Sequence, residues 1–272
     1  MCGITGIFDL RAARDVSRPV LQRMNDSQHH RGPDEGSLHT EPGLGFGHRR
    51  LSIIDIATGQ QPLHSACGSV VIVFNGEIYN YQELIPELQA QGLVFRTKSD
   101  TEVIVNAWLA WGEACVQRFR GMFAFALWDR KRQTFFMARD RLGVKPMYYA
   151  LLDDGWLVFG SELKSVLAYT GGQGGLRREI DPQAMEEYFA LGYVAEPRTI
   201  FKQALKLSPG HLLSIRRGQP MPDPQEYWQL RFTLDNPIGT DDACDELRAR
   251  LTESVRLRMI AEVPLGAFLS GG

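Results

Sequence analysis

Residues 1–8, MCGITGIF, place a cysteine directly behind the initiator methionine and ahead of an apolar stretch that reads as a strand. The second side chain is small, so methionine removal is expected, and the mature chain would then begin at Cys2 with a thiol and a free α-amine on one residue. A terminal amine titrates near ~7.7–8.0, close to the optimum for a general base at neutral pH. A thiol beside such a base is an activated nucleophile. Position alone equally allows Cys2 to be a small residue that opens a strand, and the remainder of the chain has to separate the two readings.

The chain has 272 residues, of which 44% are hydrophobic, enough to bury a substantial core in one large domain or in one domain with part of another. A formal charge of -2, from 30 Lys and Arg against 32 Asp and Glu, argues against nucleic acid or an anionic membrane as partner. Four cysteines, Cys2, Cys67, Cys115 and Cys244, lie far apart, without metal-site or redox-motif spacing and at too low a density for a disulfide scaffold. A reducing cytoplasm is expected. No apolar run reaches membrane-spanning length, and no basic segment precedes an apolar one at the start, so neither a membrane span nor a signal peptide is expected.

Outward from the opening strand, strand-like segments fall at 3–10, 45–55, 69–75, 121–129, 133–139, 146–152, 155–162 and 211–217, several of them apolar at consecutive positions. Such strands belong in sheets covered on both faces. Helical periodicity appears at 19–28, 81–91, 101–112, 161–168 and 182–192, with Pro86 expected to delay or kink the second of these. Two facing sheets with helices outside, an α+β sandwich, is the layering this predicts. From Gly218 prolines accumulate and periodicity is lost, as in a linker over 218–240. Residues 241–260 then read as a helix with Leu247, Leu251, Val255 and Met259 at four-residue spacing, followed by a strand VPLGAFL and Ser270-Gly271-Gly272. That is the beginning of a second unit, too short for a core of its own, so the domains are expected at 2–217 and 241–272.

The segment VIVFNGEIYN carries Asn75-Gly76-Glu77. Asn-Gly is a strong hairpin-turn signal. Alternatively, an Asn amide and an outward-facing backbone N–H form a pair of oxyanion donors. In HRRLSIID, Arg50 is either a solvated strand end or a guanidinium for an α-carboxylate. In SDTE, Ser99 and Glu102 are spaced as a capping box, so Asp100 either favours the helix dipole or, with Glu77, meets an ammonium group. Thiol with amine, oxyanion donors, a carboxylate clamp and two acids together describe a site for an amino acid with a cleavable amide, for which glutamine is the natural candidate.

MCGITGIF, HRGPDEG, HRRLSIID, GQQPL, FNGEIYN, SDTEV, GMFAFALWD, RDRLGVKPMYY and FGSELK occur in this order, and as a set the chain resembles the glutaminase domain of glutamine-dependent asparagine synthetases. The resemblance implies a four-layer αββα N-terminal-nucleophile hydrolase sandwich, followed by the truncated start of an α/β ATP-pyrophosphatase-type domain. It implies Cys2 as nucleophile with its own amine as base, and Asn75 and the Gly76 backbone as oxyanion hole. Glutamine's carboxylate would meet Arg50 with backbone help along Leu51, Ser52, Ile53 and Ile54, and its amine would meet Gly76, Glu77 and Asp100. Ammonia would pass through a tunnel to a second unit where ATP and Mg2+ activate aspartate. Ser270, Gly271 and Gly272 would be the first part of that unit's pyrophosphate loop. The glutaminase half itself implies no cofactor and no metal. Homodimers occur in the family.

Two rival readings are a related amidotransferase with another carboxylate acceptor and a non-catalytic domain that keeps the fold; the presence of both Cys2 and Asn75 disfavours the second. Cys67, Cys115 and Cys244 read as ordinary thiols, His29 and His48 as hydrogen-bonded structural residues, and Trp108 and Trp111 as parts of an amphipathic helix. Arg139, Asp140 and Arg141 either brace a loop through ion pairs or touch substrate.

Overall fold

The computed structural model describes residues 1–170, 175–232, 238–267 and 271. In chain order the strands are β1 (Gly3–Asp9), β2 (Glu35–Glu41), β3 (Leu44–Arg50), β4 (Leu63–His64), β5 (Val70–Ile78), β6 (Gly121–Asp129), β7 (Thr134–Arg139), β8 (Tyr148–Leu151), β9 (Trp156–Gly160), β10 (Leu205–Lys206), β11 (His211–Arg216) and β12 (Gln225–Glu226). The helices are α1 (Arg18–Asp26), α2 (Tyr81–Ala90), α3 (Asp100–Trp111), α4 (Cys115–Arg118), α5 (Leu163–Leu167), α6 (Pro182–Leu191) and α7 (Thr240–Leu257). Two antiparallel sheets result, one ordered β10-β8-β9-β1-β3-β2 and the other β12-β11-β7-β6-β5-β4.

Side-chain alternation along the strands builds the layers. In β5, Val71 and Val73 face the first sheet, where they pack with Ile4, Phe8 and Phe46, while Val70, Ile72 and Phe74 face α2, α3 and α4. In β1, Ile4 and Phe8 face inward and Ile7 joins the layer of α1 and α5. The consecutive apolar runs are therefore strands buried on both faces, and the order of layers is αββα. Phe8 stacks on Phe135 across the sheet interface at 4.8 Å; such aromatic pairs add about 0.5–1.5 kcal/mol beyond area burial.

The structure departs from the sequence reading at several points. The stretch 45–55 is a strand only to Arg50; Leu51 to Gln60 forms bends and turns, because the Arg50 guanidinium donates to the carbonyls of Ile54, Asp55 and Ile56 and so takes them from any ladder. Helix α2 starts at Tyr81 and continues through Pro86, so no late start occurs. Polar β2 was not anticipated; it is an edge strand paired with β3 only. The capping box is half formed: Ser99 Oγ accepts from Thr101 N, while the Glu102 carboxylate turns to the backbone N–H groups of Arg96 and Thr97. His29 is exposed with no side-chain hydrogen bond among the described residues, whereas His48 is buried and its Nε2 lies 3.1 Å from Phe74 O.

Beyond β11 the chain stays attached to the second sheet through β12 and through Tyr227, whose hydroxyl donates to Arg139 O at 2.7 Å. On α7, Leu247, Leu251 and Val255 are each more than half exposed, as is Met259, which the helix expected over 241–260 does not reach because it ends at Leu257. The expected strand at 263–269 is not present over 263–267, which has no regular structure. No helix among the described residues is long and apolar enough to cross a membrane.

Candidate functional site

The same alternation that builds the core assembles the site. Even-numbered positions of β1 and β3 and odd-numbered positions of β5 face the space between the sheets. Continued to the strand ends, this parity brings Cys2, Arg50 and Asn75 to one end of the sandwich. A cavity of about 230 Å3 opens there, lined by Cys2, Arg50, Leu51, Ile53, Ile54, Asn75, Gly76, Glu77 and Asp100, together with Met122 and Lys145. Ser52 is not among the lining residues; its N–H donates to Asp34 Oδ2 at 2.9 Å. Ser270 and Gly272 lie outside the described residues, so the proposed phosphate loop is represented by Gly271 alone.

Asn75-Gly76 is not a turn. Both residues sit inside β5, opposite Ala124 and Phe123 of β6. A Cβ on Gly76 would come within 2.2 Å of Met122 O, so the close approach of two backbones is what demands glycine here. The side-chain amide of Asn75 is buried, and neither Nδ2 nor Oδ1 has a hydrogen-bond partner among the described residues. An unmet buried amide is costly, about 1–3 kcal/mol, and such groups in a cavity wall are satisfied by what the cavity binds.

The Cys2 sulfur accepts from Leu51 N at 3.5 Å, and its carbonyl accepts from Arg31 Nε at 2.9 Å. Burial raises the Cys2 thiol above its ordinary range, with the Leu51 hydrogen bond opposing. The amine at the chain start, which in this structure is that of Met1, is lowered by burial and further by the cations Lys145 and Arg31. Burial thus holds the Cys2 thiol toward its protonated form, from which a base must take the proton before attack.

Asp100 is buried at the start of α3 and its Oδ2 accepts from Ile78 N at 2.9 Å. Burial, reinforced by the neighbouring Glu77, pushes its carboxyl up to about 7. Glu77 is raised by burial, with Lys145 opposing. Two acids facing one cavity create a demand for a cation. Arg50 is buried as well, and its guanidinium is shared with loop carbonyls as described above.

Lys145 escaped sequence reasoning. It is only 4% exposed, makes no ion pair within 4 Å among the described residues, and lines the cavity. The signal was a lone lysine ahead of Pro146 in an otherwise apolar run. Asp140 and Arg139 serve to hold that run: Asp140 accepts from the N–H groups of Phe123, Leu142, Val144 and Lys145, and Arg139 donates to the carbonyls of Gly143, Lys145 and Leu207. Gln61 was missed too; its Oε1 accepts from Phe74 N and its Nε2 donates to Thr101 Oγ1, fixing the cavity floor.

Two face-to-face antiparallel sheets between helical layers, with the cavity at the start of the first strand, define the N-terminal-nucleophile hydrolase fold class. The solved glutamine phosphoribosylpyrophosphate amidotransferase from B. subtilis, in complex with ADP and GMP, shares this fold at a TM-score of 0.57 and 20% identity, over 84% of this chain and 50% of that one. A family model described as a glutamine amidotransferase domain matches residues 1–228, and one described as asparagine synthase matches residues 246–272. The chain belongs to the glutamine amidotransferase domain family. Among curated relatives, asparagine synthetase [glutamine-hydrolyzing] 3 of Bacillus subtilis (strain 168) is 37% identical over the whole of this chain, and a putative asparagine synthetase of Mycobacterium bovis is 43% identical over 93% of it. The chain spans 44% and 40% of those two relatives, less than half of either.

Proposed function

We propose that this chain hydrolyses glutamine at Cys2, releasing glutamate and ammonia, and that it forms the glutaminase part of a glutamine-dependent asparagine synthetase. The unpartnered Asn75 amide in the wall beside Cys2 is the observation that carries the reading. With Met1 removed, the Cys2 amine takes the thiol proton as sulfur attacks the side-chain amide carbon. The oxyanion that forms accepts from Asn75 Nδ2 and the Gly76 N–H. Collapse expels ammonia, which carries off the proton, and leaves a glutamyl thioester that water hydrolyses to glutamate and free thiol.

Glutamine would be held by its α-groups, its carboxylate at Arg50 and the backbone of Leu51, Ile53 and Ile54, and its ammonium at Gly76, Glu77 and Asp100. Residues 2–217 would form the glutaminase unit, 218–240 the linker and 241–272 the start of the unit that uses ATP and Mg2+. Ammonia would pass to an activated carboxylate in that unit, aspartate in the asparagine synthetase reading; a different carboxylate is the alternative. The cytoplasm would be its compartment, and a homodimer its assembly by analogy with the family.

Glutamate release from glutamine, followed against pH, tests the reading. With Asp100 titrating at about 7 instead of 3.8, binding an ammonium group below pH 7 must displace a proton. KM for glutamine should therefore rise as pH falls below 7, by up to about tenfold per pH unit for one displaced proton. Asp100→Asn should raise KM at pH 8 and flatten the acid limb. The sign for stability follows the same shift. A raised folded-state value means stability is lost as pH climbs from 3.8 toward 7, so Asp100→Asn should melt above wild type at pH 8 and not at pH 4. Absence of glutamate release would refute the proposal, and a flat KM profile would remove Asp100 from ammonium recognition.

A further inference from the structure

The cavity wall formed by Ile53 and Ile54 has a second side. Immediately after α7, three residues of the second unit dock along the rim of the first. Arg258 lies over the Tyr79 ring at 4.6 Å, and Ile260 packs on the hydrophobic cluster formed with α2 and α3. Glu262 makes two hydrogen bonds to the loop itself: its backbone N–H donates to Ile53 O at 2.9 Å, and its carboxylate Oε2 accepts from Ile56 N at 3.1 Å. From the cavity side, Arg50 grips the same loop through the carbonyls of Ile54, Asp55 and Ile56. The loop has no ladder partners of its own; these two grips, together with Ser52 N–H on Asp34 Oδ2 and Lys98 N–H on the Asp55 carboxylate, fix the backbone whose Leu51 N–H reaches Cys2.

We propose that Glu262 is a positioning residue for the amide-substrate cavity: by clasping Ile53 and Ile56 from the second unit, it holds the wall that contacts glutamine. The inference rests on the glutaminase reading and adds a route by which the second unit acts on it. Residues 258–262 lead directly into 263–267, so a displacement there reaches the glutamine wall through the backbone and side-chain bonds of Glu262 to Ile53 and Ile56. By reciprocity, glutamine bound against Ile53 and Ile54 favours the docked arrangement of the second unit.

The test compares Glu262→Ala and Glu262→Gln with wild type in the whole chain. Losing a charge-assisted hydrogen bond to a loop N–H should raise KM for glutamine about fivefold in the alanine variant, with kcat within about twofold. The glutamine variant keeps an acceptor for Ile56 N–H and should restore KM. Amide exchange at Ile56 should accelerate in the alanine variant alone, with exchange in β1, β5 and β6 unchanged. An unchanged KM in an active alanine variant, or failure of glutamine to rescue, would overturn the positioning role. Exchange accelerated throughout the sheets would assign Glu262 to global stability instead. Should wild type release no glutamate, the glutaminase reading fails while the Ile56 exchange comparison still decides whether the clasp exists.

Discussion

Replacing Cys2 by alanine is expected to lower glutamate release at least about a thousandfold while leaving the melting temperature nearly unchanged. The sulfur's hydrogen bonds are to the Leu51 backbone, at 3.5 and 3.7 Å, and its side chain lines the cavity rather than a sheet interior, so its removal takes little from the sandwich. The α-amine survives the change, and so does the Asn75 amide. The variant thus separates nucleophile from base and oxyanion donor, and residual turnover measures what those two achieve with water alone. Cys2→Ser should be nearly as inactive, because a hydroxyl is a far weaker acid than a thiol and the neighbouring amine is too weak a base to activate it. Turnover close to wild type in either variant would remove Cys2 from the chemistry.

Asn75→Ala should show the opposite pairing of effects, with kcat lower by about 10²–10³ and stability equal to or above wild type. The amide has no partner among the described residues, so truncating it deletes a buried unmet group instead of a formed bond. KM should change little, because the bond to Asn75 strengthens only as the carbonyl oxygen gains charge. Loss of stability together with activity would show that Asn75 braces β5, and retained kcat would transfer the oxyanion to another donor. Rate assays at saturating glutamine and thermal melts on the same preparation settle both.

Much of this was legible in the chain because strand parity is a local property. Consecutive apolar residues in 70–74 announce a strand buried on both faces, and such strands require four layers. Cys2 just before β1, Arg50 at the end of β3 and Asn75 within β5 share the register that turns them inward, and their side-chain chemistry already suggested an amino-acid amide. Non-local geometry was not legible. Asn-Gly resembles a hairpin turn until β6 pairs across it, and only the approach of Met122 O to Gly76 explains the glycine. The stretch after Arg50 looks like strand because it is apolar, yet the guanidinium claims its carbonyls and makes it a loop. Lys145 gave no periodic signal, since its role depends on Asp140 and Arg139 folding the 140–145 turn under Glu77. VPLGAFL had strand composition without a described strand to pair with.

The most direct measurement is peptide mapping after reaction with an electrophilic glutamine analogue that alkylates the attacking thiol. The account predicts one label, on Cys2, in a peptide whose first residue is Cys2 with a free α-amine, and protection of that label by glutamine. Cys67 is the instructive control, since it is exposed and its thiol is lowered to about 7 by Ser65 and Ser69, yet it faces no cavity with an unpartnered amide. A label on Cys67, or labelling of a chain that retains Met1 as readily as one that has lost it, would contradict an N-terminal nucleophile.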